Sequence, residues 1–222
     1  MKALPQIVGG ERLKRFIRLE LSSGDKPEFT DIRAGLVFPT AEHPACAIFL
    51  GMEWVDPRVY QVNESARKLY LLAEVIYTEF GVDRLFHKLS DLASVCCCTD
   101  IFCDLDHEKH ADFLDAARAY EDRHKSYAEL IAAPFVDNPW LGVSLVHDWA
   151  RSGKLKIPED AEAYTQLKKV SKADLDNLDG FYAINALRLV IGSFHMDPPR
   201  VVRPYRYQLP RSATGPFGWM AG

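Results

Sequence analysis

The chain has 222 residues, 48% of them hydrophobic and 26% charged, with a formal net charge of −4, the profile of an ordinary soluble globule able to bury a sizeable core. That charge lends no support to a uniformly basic nucleic-acid coat, and no run approaches the ~18 apolar residues of a membrane span. An odd set of five cysteines without an apolar amino-terminal signal segment speaks against a secreted disulfide framework and for a reducing, cytoplasmic setting.

The elements follow from periodicity and punctuation. Arg15 to Leu21 reads as an imperfectly alternating strand closed by a polar stretch at 22–27, so residues 1–31 read as an amino-terminal arm or edge strand. Ile32 to Phe38 and Ala45 to Met52 read as two adjacent strands around a Thr40-Ala41-Glu42-His43-Pro44 turn, with Pro39 and Pro44 placed where a missing N–H harms a ladder least. Lys68 to Tyr77 is a third apolar strand, and the three suggest an antiparallel meander.

The period then changes. Phe80, Leu85, Leu89 and Leu92 fall near helical spacing over 79–92. Ser94 to Phe102 is predicted as a short buried strand ending at Cys103-Asp104, followed by a helix over 109–120 and a strand over 130–136. Alternating strands and helices imply right-handed parallel crossovers. The expected fold is therefore α/β: a mixed sheet, antiparallel meander plus parallel strands, flanked by helices. Asn138-Pro139 starts a helix through Trp149 or Arg151 that Gly153 stops. An extended link at 154–158, a helix over 161–170 and a final helix over 181–194 complete a domain spanning 32–196. Residues 197–222 read as an extended tail.

The chemistry-bearing residues are few. Neither a phosphate-cradling GxxxxGK[ST] loop nor a Gly-x-Ser-x-Gly elbow occurs. Cys96, Cys97 and Cys98 would alternate faces on a strand and so cannot converge on one metal; with Cys46 and Cys103 they read as small hydrophobes. His107 and His110 among Asp104, Asp106, Glu108 and Asp112 have the donors of a hard-cation site, and equally the composition of a surface helix's first turn. Asp104 is expected at the carboxyl end of a parallel strand, where ligands of open α/β sheets collect.

These residues meet a family pattern. Gly35-Leu36-Val37-Phe38, His43-Pro44-Ala45 and Met52-Glu53-Trp54 resemble the first hairpin of the nuclease domain of phage and viral terminase large subunits, which usually shows Gly-x-Asp-Phe/Trp-Gly, His-Pro-x-Ala and a Trp-Asp pair. Lys68 to Ile76, with Glu74 at the acidic position, is similar to the next strand of that family. Ile101-Phe102-Cys103-Asp104 resembles the strand ending in its second metal-binding aspartate. Gly142-Val143-Ser144 with 153–157, and Ala183-Ile184-Asn185-Ala186-Leu187-Arg188, are similar to its later segments, the last to a closing Asp-His-x-x-Asp-Ala-Leu-Arg-Tyr helix. The resemblance spans 34–194 and implies an RNase H-like fold and Mg²⁺- or Mn²⁺-dependent cutting of concatemeric DNA during genome packaging. It also implies double-stranded DNA and a packaging ATPase or portal protein as partners.

The departures are chemical. Val37 stands at the family's first aspartate, Phe181 and Asn185 at the two acidic positions of the closing helix, and Tyr182 at its histidine; Asp104 alone matches. Two-metal hydrolysis needs several carboxylates on two ions about 3.5–4 Å apart. Asp174, Asp176 or Asp179 would have to approach Asp104, with Glu42, Glu53 or Glu74 replacing the first acid. Lys168, Lys169, Arg203 and Arg206 are the candidate phosphate contacts. Three functions stay open: a non-catalytic or weakened packaging protein without a cofactor, an active Mg²⁺- or Mn²⁺-dependent endonuclease, and an interaction module outside packaging.

Overall fold

The structure, a computed structural model, describes residues 6–8, 11–15, 29–40, 42–53, 68–77, 82–124, 128–175 and 177–197. Strands β1 (Gln6–Val8), β2 (Glu11–Arg15), β3 (Phe29–Val37), β4 (Ala45–Glu53), β5 (Leu69–Tyr77), β6 (Asp100–Cys103), β7 (Glu129–Ala132) and β8 (Leu155–Lys156) form one sheet. Its order is β1-β2-β5-β4-β3-β6-β7, with β8 beside β5. The meander is β3, β4 and β5, each antiparallel to the next. Strands β6 and β7 join parallel to β3.

Helices α1 (Val82–Cys96) and α2 (His107–His124) cover one face; α3 (Pro139–Arg151), α4 (Glu162–Leu167) and α5 (Tyr182–Met196) cover the other. The fold is thus a three-layer mixed α/β sandwich of the RNase H-like kind. Because both faces are covered, β4 reads as continuously apolar: Ala45, Ala47 and Phe49 turn to α1 and α2, while Cys46, Ile48 and Leu50 turn to the α3–α5 layer.

Helix α5 organises its layer and is buried from Ala183 to Phe194 except at Asn185. It crosses β3 so closely that a Cβ on Gly35 would overlap the Ala186 carbonyl oxygen and lie 3.1 Å from the Val190 nitrogen. Glycine at 35 is therefore a packing requirement. The side-chain oxygen of Gln166 accepts the Ala183 and Ile184 N–H groups at 2.9 and 3.3 Å, capping the start of α5. Its far end is tied down by Arg33, whose Nη1 donates to the Ser193 carbonyl at 2.9 Å. The start of α5 therefore lies at the Val37 end of β3.

Several sequence expectations need correction. The predicted strand over 94–102 is strand only in its last third: α1 runs to Cys96 and β6 holds only Asp100–Cys103. The apolar stripe Leu85, Phe86, Leu89, Leu92, Ala93, Cys96 keeps helical period through the first cysteine, and Cys97 ends the helix in the left-handed region at φ 55°. Strand β7 stops at Ala132, where a turn carries Phe135 at φ 61°. The link at 154–158 contains β8, paired parallel with Leu69 and Tyr70. The strand-like run at 15–21 lies outside the described residues, apart from Arg15 at the end of β2.

Candidate functional site

The site is built by register. Strands β3 and β6 pair Arg33 with Asp100, Ala34 with Ile101 and Gly35 with Phe102, so two residues further on Val37 stands beside Asp104, with Cα atoms about 5 Å apart. Asp104 follows the last residue of β6, at the carboxyl end of the parallel strands.

The side chains against the Asp104 carboxylate come from α2. Its Oδ1 accepts the Asp106 N–H at 2.9 Å; its Oδ2 lies 3.5 Å from His110 Nε2 and 3.8 Å from Lys109 Nζ. The Lys109 ammonium sits 3.0 Å from Asp106 and is held above its ordinary pKa by that bond first and by the Asp104 charge next. From the opposite layer, Arg188 donates through Nε to Asn185 Oδ1 at 2.8 Å and through Nη1 to the Phe135 carbonyl at 2.9 Å. Burial pulls its guanidinium down to about 10, opposed by the charge of Asp104. Arg188 thus holds the strained Phe135 turn against α5.

Three of the other candidate acids, Glu74, Glu53 and Asp174, are engaged elsewhere. Glu74 is fully buried and accepts the Glu162 and Ala163 N–H groups at 2.9 and 2.8 Å, capping α4. Through the pairs Glu74–Ile48, Ile48–Gly35 and Gly35–Phe102 it lies three strands from β6, about 14 Å across the sheet. Glu53 pairs with Phe29 at the opposite end of β3 and accepts the Tyr70 hydroxyl at 3.4 Å. Glu42 is exposed in the β3–β4 turn, which Thr40 Oγ1 closes by accepting the His43 N–H at 3.1 Å. Asp174 closes a capping box with Ser171, whose hydroxyl holds its carboxyl below the usual range.

Phe181 is the N-cap of α5 and packs on its layer's core, as does Tyr182. Asp179 opens the preceding 3-10 turn at this end of α5. Asp176, Arg203 and Arg206 lie outside the described residues. Lys168 and Lys169 are exposed just beyond Gln166, with the Lys168 ammonium 4.0 Å over the Tyr164 ring. His107 faces Asp115 at 3.3 Å and is exposed.

Among the described residues no group of three or more histidine, cysteine, aspartate or glutamate side chains is placed to hold a metal ion. A two-metal centre does not fit the donor set of the described residues: Asp104 has Val37 alongside on β3, and Lys109 and His110 against its carboxylate where further anionic ligands are needed. No helix among the described residues is long and apolar enough to cross a membrane. Sequence reasoning missed the parts played by Lys109, Arg188 and Gln166. The one available signal was a strong cation, Arg188, inside the otherwise apolar run of α5.

No protein-family model and no curated protein matches the sequence. The large terminase nuclease of thermophilic phage G20c superposes with a TM-score of 0.52 at 10% identity, covering 83% of this chain and 89% of that one. The large terminase of a second thermophilic bacteriophage superposes with a TM-score of 0.53 at 10% identity, covering 75% of this chain and 40% of that longer one. Structures of the G20c nuclease with bound magnesium and with bound zinc align at 0.48 and 0.49. The chain carries the fold of large terminase nucleases.

Proposed function

We propose that this chain is a phage or prophage DNA-packaging protein of the terminase-nuclease kind in which hydrolysis is lost or greatly weakened. In this reading it positions double-stranded DNA or helps assemble the motor, beside a packaging ATPase or portal protein in the host cytoplasm. The observation carrying it is the β3–β6 register: continued two residues past its last pair, Gly35–Phe102, it sets Val37 alongside Asp104, where the nuclease chemistry would be expected. A lone carboxylate leaves two ions short of the ligands that would hold them and orient the attacking water between them. In the same reading residues 32–196 are the nuclease-like domain, residues 1–31 an arm or edge strand, to which β1 and β2 belong, and 197–222 a tail. Lys168, Lys169, Arg203 and Arg206 supply phosphate contacts that need no metal.

Supercoiled plasmid incubated with the purified chain in Mg²⁺ and in Mn²⁺ tests this. The expected result is no nicking above a buffer control. Cleavage that Asp104→Ala abolishes would overturn the reading in favour of an active endonuclease that draws further acids, Asp179 or Asp176, to Asp104. Plasmid retardation weakened by Lys168→Ala with Lys169→Ala supports DNA positioning, and its absence removes that role.

A further inference from the structure

We infer that Asp104 is an internal staple, held by the chain's own backbone, Lys109 and His110 in the place where a nuclease would hold a divalent ion. The inference deepens the proposed function and concerns the same strand end. Its first support is that both carboxylate oxygens are engaged within the chain: Oδ1 by the Asp106 N–H at 2.9 Å, Oδ2 by His110 at 3.5 Å and Lys109 at 3.8 Å. Asp106 repeats the device one step on, accepting the Glu108 N–H at 3.0 Å through Oδ1 while its Oδ2 takes the Lys109 ammonium at 3.0 Å. The turn from β6 into α2 is therefore tied by two successive aspartates, each with a cation attached.

The second support is the backbone of α2. Within α2, His110 leaves helical geometry at φ −129°, ψ 24°, well away from the usual −63°, −42°. The irregular residue is the one whose imidazole both reaches Asp104 and lies edge-on to Phe38, with ring centroids 4.9 Å apart. Phe38 is itself buried, one residue beyond Val37. A break in the helix is thus coupled to two contacts on the ends of β3 and β6. A divalent ion entering here would meet the Lys109 ammonium, the nearby Arg188 guanidinium and a carboxylate already engaged by the chain, a set that opposes rather than recruits it.

Thermal unfolding of the full chain in EDTA and in millimolar MnCl2 reads this out, with free Mn²⁺ followed by its EPR signal. Wild type is expected to melt at the same temperature in both and to leave the free-ion signal unchanged. Asp104→Asn keeps an acceptor for the Asp106 N–H but removes the charge, and should lower Tm by about 1–3 °C in both media. Lys109→Met and His110→Gln should each lower it too, and the Asp104→Asn/His110→Gln pair should fall by less than the sum of its members. A wild-type Tm raised by Mn²⁺, or a free-ion signal depleted by wild type and not by Asp104→Asn, would overturn the staple; so would an Asp104→Asn Tm at or above wild type in EDTA. Plasmid cleavage with the coupling intact sinks the loss of hydrolysis alone, whereas absent coupling without cleavage sinks the staple alone.

Discussion

Replacing Gly35 by alanine tests the crossing that joins α5 to the sheet. The added Cβ would overlap the Ala186 carbonyl oxygen and press to 3.1 Å on both the Ala186 carbonyl carbon and the Val190 nitrogen. All three are backbone atoms, so no rotamer change relieves the contact, and the helix must retreat by roughly 1 Å to restore van der Waals separation. It is not free to do so, because Gln166 holds its start, Arg33 binds the Ser193 carbonyl and Arg188 ties it to the Phe135 turn. The cost belongs at the upper end of overpacking, about 3 kcal/mol, which for a chain of this size lowers Tm by about 6–12 °C. Circular dichroism melts of Gly35→Ala and Gly180→Ala form the assay, since a Cβ on Gly180 meets nothing within 4 Å. Equal melting temperatures for the two variants would refute the close crossing, and with it the placement of Asn185 and Arg188 beside the strand ends.

Glu74→Ala should destabilise by about 3 kcal/mol in urea titrations, because it strands two N–H donors of α4 in a buried site; an unchanged midpoint would return Glu74 to the list of candidate ligands. Val37→Asp sets a second carboxylate beside Asp104 at a half-buried position and should lower Tm in EDTA through like-charge repulsion and desolvation. Mn²⁺ should recover part of that loss, and recovery without Asp104, in Val37→Asp/Asp104→Asn, would refute the pairing. Alkaline pH should unfold the chain. Burial raises the Cys103 thiol from 9.0 to about 12 and the Tyr70 phenol from 10.0 to about 12, with Cys46 and Cys98 also raised. A raised folded pKa means the native state keeps protons the unfolded chain releases, so this stability is complete below pH 9 and is lost as pH climbs towards 12. Arg188, lowered to about 10, acts oppositely but only above that value. Urea midpoints should fall from pH 9 to pH 11, and Cys103→Ala should flatten the slope; a flat wild-type profile would refute the burial of these groups.

The sequence by itself determined what nearest neighbours decide. Alternation and apolar runs placed β3, β4 and β5 and their antiparallel order, and the helical period of Ile184, Leu187, Ile191 and Phe194 placed α5. The change from period 2 to period 3.6 and back signalled the parallel crossovers. Local pattern failed at Ser94–Phe102, where a β-compatible apolar run was the last turn of α1 and a short strand; only the sheet's spacing shows where the helix must stop. The roles of the acids were not legible. Glu74 and its cap partner are 88 residues apart, and Gln166 and Ala183 are 17 apart. A carboxylate that caps a helix and one that binds a metal are the same residue type in the sequence. What separates them is which N–H groups, cations or further acids the folded chain brings within 3 or 4 Å, and that is set by sheet register and by the crossing of α5. Val37 and Asp104 are 67 residues apart in the sequence and neighbours across two strands. Reading down the chain identifies each of them; only the tertiary structure brings the two strand ends that carry them side by side.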